Sequence, residues 1–170
     1  MGHESVLVWE RKNQMKPKFF ETIYETMRKN DKVWLLTGDL GFGGVDKIQK
    51  DFPKRFLNCG ASEQAMLGIA VGLAQEGKIP FVYTITPFFL RAMETINLYL
   101  HHEGAHVILV GAGRDDDYSK TDGYSHDAVV FQNLMDYLSI DKYTPDDGGV
   151  LPAMIGMAIK HKKPAFINPL

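Results

Sequence analysis

Short apolar runs typical of buried strands alternate along the chain with longer stretches in which apolar residues recur at helical spacing. Strands are predicted at residues 33–37, 56–59, 79–84, 107–110, 140–144 and 165–167. Helices are predicted after Pro17 and at residues 62–75, 89–102, 127–138 and 150–161, with Ser62 as a helix cap. This order predicts an α/β fold, namely a three-layer αβα, doubly wound, mainly parallel sheet of about six strands.

Size and charge limit the kinds of partner that the chain can have. Its 170 residues, 45% hydrophobic and 24% charged, predict a single globular domain over residues 1–170. Lys and Arg number 19 against 21 Asp and Glu without a long block of either sign, which argues against nucleic acid and against a membrane surface. The single cysteine, Cys59, and the lack of a signal-peptide pattern favour the cytoplasm. We therefore expect small molecules or other proteins as partners.

Two glycine-rich loops follow predicted strands but do not fit a nucleotide-binding motif. Residues 41–44 and 111–113 both resemble part of a dinucleotide fingerprint. The second loop lacks the third glycine and continues into three aspartates at 115–117, which would repel a pyrophosphate. Those aspartates suggest a metal site or, since no further ligand stands at a fixed spacing, a solvated acidic loop. No metal site is predicted in this chain.

Two residues are candidates for proton chemistry. His126 follows a long polar loop at the mouth of a predicted helix, where an imidazole can act near neutral pH, although many loop histidines have no such role. Glu63 begins an otherwise apolar helix. It is either a first-turn carboxylate stabilised by the helix dipole or a partly buried acid available for proton transfer. Residue spacing does not decide between the two.

Six blocks of sequence, taken together, resemble one family. They are TGDLG at 37–41, GASEQAM at 60–66, GIAVGLA at 68–74, PFVYT at 80–84, FFLRA at 88–92 and DGYSH at 122–126. In order and spacing they resemble the pyrimidine-binding domain of transketolases and deoxyxylulose phosphate synthases over nearly the whole chain. On these blocks the chain is identified as a member of the transketolase-like thiamine diphosphate enzymes.

The resemblance implies roles for five residues. Glu63 would hydrogen-bond N1′ of the aminopyrimidine of thiamine diphosphate and be catalytic, because sharing that proton favours the tautomer that takes the proton from C2. Phe88 would stack on the pyrimidine ring, unless it is an ordinary core residue, and Asp39 would belong to the cofactor pocket. His126 and Asp122 would contact substrate hydroxyls, and His126 would also assist proton transfer.

The resemblance also implies a divided enzyme. The family's enzymes contain a diphosphate-binding domain with a Mg²⁺ motif and a C-terminal domain, and neither is found among these 170 residues. A partner subunit would then hold Mg²⁺ and the diphosphate, and this chain would self-associate within a heterotetramer. The implied reaction is transfer of a two-carbon ketol unit between sugar-like carbonyl substrates. A 2-keto acid decarboxylase or carboligase subunit and a non-catalytic assembly subunit are the alternatives.

Overall fold

The six strands form one sheet in which all pairs are parallel. The computed structural model describes residues 3–41, 43–115 and 122–169, with side chains from residue 14 onward. The strands are β1 Val33–Thr37, β2 Phe56–Asn58, β3 Ile79–Ile85, β4 Ile108–Ala112, β5 Asp141–Tyr143 and β6 Ala165–Ile167. Their order is β2-β1-β3-β4-β6-β5. The predicted α/β fold is confirmed, and the direction of strand succession reverses between β1 and β3, where such sheets bind ligands.

Helices connect the strands. They are α1 His3–Lys29, α2 Asp46–Asp51, α3 Glu63–Gln75, α5 Val129–Met135 and α6 Leu151–His161, with a 3₁₀ turn at Tyr124–His126. The helical segment α4 combines a 3₁₀ turn at Thr86–Ala92, an α-helical turn at Met93–Thr95 and a π-helical turn at Ile96–His102. Segment α4 therefore begins three residues before the predicted helix at 89–102. No helix among the described residues is both long and apolar enough to cross a bilayer.

The first helix contradicts the prediction that it begins after Pro17. Helix α1 begins at His3 and runs through the proline. Proline lacks an N–H group and so removes one helical hydrogen bond, which usually weakens a helix at that point. Here Met15 on one side of Pro17 and Phe19 on the other are both buried in the same apolar cluster. This packing explains how the helix continues across the missing bond.

Two apolar cores lie on opposite faces of the sheet, because successive strand side chains point in opposite directions. On β3, Phe81 and Tyr83 pack into one core while Val82 packs into the other. The first core also takes side chains from α1, α2 and α6, and the second takes them from α3, α4 and α5. Both faces of the strands are thus covered, which explains why the strands read as continuous apolar runs in the sequence.

Candidate active site

The candidate site lies where the start of α3, the end of β3 and the start of α4 meet. Helix α3 begins at Glu63, directly after the turn that follows β2, and Gly60 has a φ of 65° in that turn. Ser62 occupies the N-cap position but makes no side-chain capping bond, so the predicted capping role is wrong. Glu63, Thr84 and Phe88 thereby reach the same edge of the sheet, beside the switch between β1 and β3.

Glu63 is buried and has two side-chain partners. Its side chain is 1% exposed. The Arg91 Nη1 atom donates a hydrogen bond to Glu63 Oε2 at 2.8 Å, and Thr84 Oγ1 donates a longer one to Oε1 at 3.4 Å. A carboxylate that only stabilises a helix end normally stays in water. The arrangement around Glu63 has the geometry of a buried acid instead.

Phe88 and His126 lie next to this ion pair. The guanidinium carbon of Arg91 stands 4.1 Å from the centroid of the Phe88 ring. The rings of Phe88 and His126 meet edge to face, with their centroids 5.1 Å apart. The structure therefore brings together Glu63, Phe88 and His126, three of the five residues named from the sequence, and Arg91 connects the first two.

An open cleft borders the site. Its volume is about 480 Å³, and its lining includes Phe88, Arg91, Tyr124, Ser125 and Asp127. The lining residues come from α4 and from the segment around the Tyr124–His126 turn. The cleft thus lies beside the predicted cofactor and substrate residues, and Pro87, Leu90 and Val130 add apolar surface to its lining.

Asp39 and Asp122 lie at the margins of this arrangement. Asp39 follows β1 with a φ of 54°, and its carboxylate accepts a hydrogen bond from Asn58 Nδ2 at 3.2 Å. The Asp39 backbone N–H also donates to Asn58 Oδ1 at 3.0 Å, which ties it to the end of β2 rather than to Glu63 or Phe88. Asp122 is exposed shortly before the Tyr124–His126 turn.

The acidic loop after β4 is described only in part. Asp115 has a φ of 53° and donates its backbone N–H to Gln132 Oε1 at 3.0 Å, whereas the aspartates at 116 and 117 lie outside the described residues. Arg114 forms an ion pair with Asp146. Among residues 3–41, 43–115 and 122–169, no group of three or more His, Cys, Asp or Glu side chains is arranged to hold a metal ion.

Sequence reasoning missed Arg91 and Thr84 as members of the site. Arg91 stands three residues after Phe88, about one turn along a helix, a spacing that places two side chains on one face. The need of a buried carboxylate for a cationic partner could have selected Arg91 once Glu63 was suspected to be buried. Thr84 gave no such signal, because a threonine near the end of a strand is common.

A buried amide supports the loop that leads from β4 towards His126. Asn168 is fully buried, and its Nδ2 atom donates to the carbonyl oxygens of Gly111 and Gly113, both at 3.0 Å. Its Oδ1 atom accepts a hydrogen bond from Gln132 Nε2 at 2.8 Å. Because the Gln132 oxygen also holds Asp115, one network joins β4, β6 and α5 behind the site.

Comparison with known proteins gives this arrangement a family context. The family model described as transketolase, pyrimidine binding domain, matches residues 12–167. The chain is 26% identical over 162 residues to the 6-deoxy-6-sulfo-D-fructose transketolase subunit SqwH of Clostridium sp. (strain MSTE9), covering 92% of this chain and 49% of that protein. It is 34% identical over 160 residues to a putative transketolase C-terminal section of Methanocaldococcus jannaschii, covering 91% of this chain and 49% of that protein.

A solved structure agrees in fold. It is described as a split-gene transketolase in an inactive β4 tetramer, and it superposes with a TM-score of 0.77 at 28% identity over 89% of this chain and 49% of that chain. This chain therefore spans about half the length of these relatives. Because the family model covers nearly all of the sequence, the chain belongs to the transketolase pyrimidine-binding domain family.

Proposed function

We propose that this chain is the pyrimidine-binding subunit of a split, thiamine diphosphate-dependent, transketolase-like enzyme that transfers a two-carbon ketol unit between sugar-like carbonyl substrates. The observation that carries the proposal is the carboxylate of Glu63, 1% exposed and connected through Arg91 to the ring of Phe88. A buried acid beside an aromatic platform provides the two contacts that an aminopyrimidine requires, namely a proton-sharing carboxyl and a flat apolar surface.

The residues of this chain fit only half of the cofactor. Glu63 and Phe88 suit the aminopyrimidine ring, and Asp39 is proposed at the edge of the same pocket. For Mg²⁺ and the diphosphate we propose a partner subunit, since the described residues include no cluster of metal ligands. When bound, thiamine diphosphate would supply a nucleophilic carbon for the substrate carbonyl and an electron sink for the carbanion that remains when the adjacent C–C bond breaks.

Each side chain has a distinct proposed task. Glu63 holds and exchanges the proton at N1′, and its burial strengthens that hydrogen bond by excluding water. Phe88 orients the ring by stacking. His126 and Asp122 bind substrate hydroxyls, and His126, whose Nδ1 lies 3.0 Å from Ser125 Oγ, transfers protons on the substrate.

The outer face of α3 supports self-association next to the site. Ala65, Gly68, Ile69 and Gly72 are all exposed there. A β-carbon built on Gly68 or Gly72 meets no described atom within 4 Å apart from its chain neighbours and the backbone of its own helix, so packing within this chain does not require glycine at either position. Glycines on an exposed apolar helix face allow another backbone to approach closely. We therefore propose that a second copy of the chain packs here, within a heterotetramer.

The alternatives make different demands on the site. A non-catalytic assembly subunit does not need a buried carboxylate next to an aromatic ring and a histidine, so we favour an enzyme. A 2-keto acid decarboxylase or carboligase would use the same pyrimidine contacts. We favour ketol transfer because the relatives described above are named as transketolases. With one half-buried thiol at Cys59, we propose the cytoplasm as the location.

The test of this proposal is to purify the chain from its native source and identify what accompanies it. A diphosphate-binding subunit should co-purify, and the complex should take up thiamine diphosphate with Mg²⁺ and convert a ketose donor. The purified chain alone should bind the cofactor weakly in calorimetry. Tight Mg²⁺-dependent binding by the chain alone would contradict the proposed division of labour, and a complex without turnover would favour the assembly role.

A further inference from the structure

Arg91 contacts both of the groups that are proposed to hold the aminopyrimidine ring. Its Nη1 atom lies 2.8 Å from Glu63 Oε2, and its guanidinium carbon lies 4.1 Å from the centre of the Phe88 ring. The remaining carboxylate oxygen of Glu63 has its own, longer hydrogen bond from Thr84. The space between the carboxylate and the aromatic ring is therefore taken by the guanidinium.

A guanidinium and an aminopyrimidine compete for such a space because their recognition chemistry is similar. Both are planar and stack on an aromatic face, and the N1′-protonated aminopyrimidine, like the guanidinium, presents an in-plane N–H donor to a carboxylate. A ring that hydrogen-bonds Glu63 and stacks on Phe88 from the side of Arg91 must occupy the volume that the guanidinium now fills. The two occupants exclude each other.

The buried charge of Glu63 explains why a cationic side chain next to it stabilises the free chain. An ionised carboxylate that is 1% exposed and has no cationic partner is strongly destabilising in a protein interior. Arg91 supplies that partner while its own side chain stays 51% exposed, so it can move without disturbing the core. The cleft that Arg91 lines is also lined by Asp127, one of whose carboxylate oxygens accepts a hydrogen bond from the Val129 N–H, so the departing guanidinium has room and a second acidic residue on the same cleft.

We propose that Arg91 occupies the aminopyrimidine subsite until thiamine diphosphate binds and must leave Glu63 and Phe88 for the cofactor to enter. The inference rests on the proposed function, since it names the residue that the cofactor displaces at the same site. It makes Arg91 a positioning residue that keeps Glu63 paired in the free chain and sets the affinity for the ring. Arg91 would then oppose cofactor binding.

The experiment measures binding of thiamine diphosphate with Mg²⁺ to the full chain by ligand-observed NMR, which detects weak complexes through the pyrimidine protons. Arg91→Met keeps the length of the side chain and removes the guanidinium. We expect its Kd to be about tenfold lower than that of the parent, as for loss of a competing ion pair and a cation–π contact. Arg28→Met is the matched control, because Arg28 is exposed and pairs with Glu25 far from the site, and its Kd should equal the parent's.

A second readout needs no ligand. In the free parent chain the Arg91 Nη1–H signal should be protected from exchange with solvent, because Nη1 donates to Glu63, and Phe88→Ala should reduce that protection. Suppose that Arg91→Met binds the cofactor no better than the parent, while adding Glu63→Gln lowers the cofactor affinity of both proteins. The proposed pyrimidine site is then supported and the inference about Arg91 is overturned. If the cofactor binds neither the parent chain nor Arg91→Met, the inference is also overturned, since a subsite without the guanidinium should bind the ring. Activity of the complex would then test the proposed function separately.

Discussion

Glu63 owes its surroundings to the packing of three elements rather than to its place in a helix. A first-turn carboxylate gains some tenths of a kcal/mol from the helix dipole while remaining in water. Glu63 is 1% exposed instead, and its two oxygens take hydrogen bonds from Arg91 and Thr84, on α4 and β3. Burying a charge for helix stability alone is unfavourable. The burial therefore supports a chemical role for the carboxyl.

The proposed roles of Glu63 and His126 differ in the step at which each acts. In the reconstituted complex, Glu63→Gln should slow exchange of the cofactor's C2 proton with deuterated water, because an amide cannot share the proton at N1′. His126→Ala should leave that exchange nearly unchanged and reduce turnover by about 10²–10⁴-fold, the usual contribution of a general acid or base. Exchange followed by NMR separates the two steps without knowledge of the sugar. If both variants exchange as fast as the parent complex, Glu63 only begins a helix.

At the scale of elements, the strands were predictable and the helix ends were not. Strands buried on both faces give continuous apolar runs, as in β1 and β3, and the ends of such a run indicate where the strand begins and ends. Helix limits depend on contacts that the local sequence does not contain. Pro17 indicated a helix start, but side chains buried on both sides of it hold α1 together. Segment α4 likewise begins at Thr86, whose hydroxyl donates a hydrogen bond to the carbonyl oxygen of Ala112 on β4.

The network around Asn168 should be a large local contribution to stability. Asn168→Ala would remove the hydrogen bonds that Asn168 makes with the carbonyl oxygen of Gly111 and the amide of Gln132, whereas the carbonyl oxygen of Gly113 would keep its bond from the Thr86 hydroxyl. Buried polar groups left unsatisfied cost about 1–3 kcal/mol each, so we expect the free energy of unfolding to fall by about 2–4 kcal/mol. Urea denaturation measures the change through its midpoint.

Asn133→Ala provides the control for this measurement. Asn133 lies on α5 next to Gln132, but it is exposed, so its replacement should change the unfolding free energy by less than about 0.5 kcal/mol. Equal midpoints for the two variants would show that the buried network contributes nothing beyond a surface amide. A larger loss for Asn168→Ala would identify this network as the support of the β4 loop.

Across the molecule, the fold class and three neighbouring candidate residues could be predicted from the sequence, whereas the contacts that connect those residues could not. Glu63, Phe88 and His126 were named because blocks of sequence resemble a family. In the structure Phe88 contacts His126, and Arg91 links Phe88 to Glu63. Arg91 was missed because the charge that it pairs with is 28 residues away along the chain. Strand order was not predicted either, since parallel neighbours such as β4 and β6 hydrogen-bond to each other although they lie far apart along the chain.

Assembly is a property of the whole molecule, and the exposed glycines of α3 allow it to be tested by sedimentation. The parent chain should self-associate, and Gly68→Gln should weaken that association at least about tenfold, because the new side chain prevents close approach of a second backbone. Glutamine favours a helix over glycine by up to about 1 kcal/mol, so the variant should be no less stable than the parent as a monomer. A loss of association could then not be attributed to unfolding.

Gly156→Gln separates an interface effect from a general one. Gly156 is also an exposed helical glycine with no described atom within 4 Å of a built β-carbon, but it lies on α6, which packs on the opposite face of the sheet from α3. Its replacement has the same effect on helix propensity and adds the same bulk. If only the α3 variant dissociates, the second copy docks beside Glu63, where a shared site requires it. Equal dissociation by both variants, or a parent that stays monomeric at every concentration, would place the assembly surface elsewhere and remove this support for a site completed by neighbouring subunits.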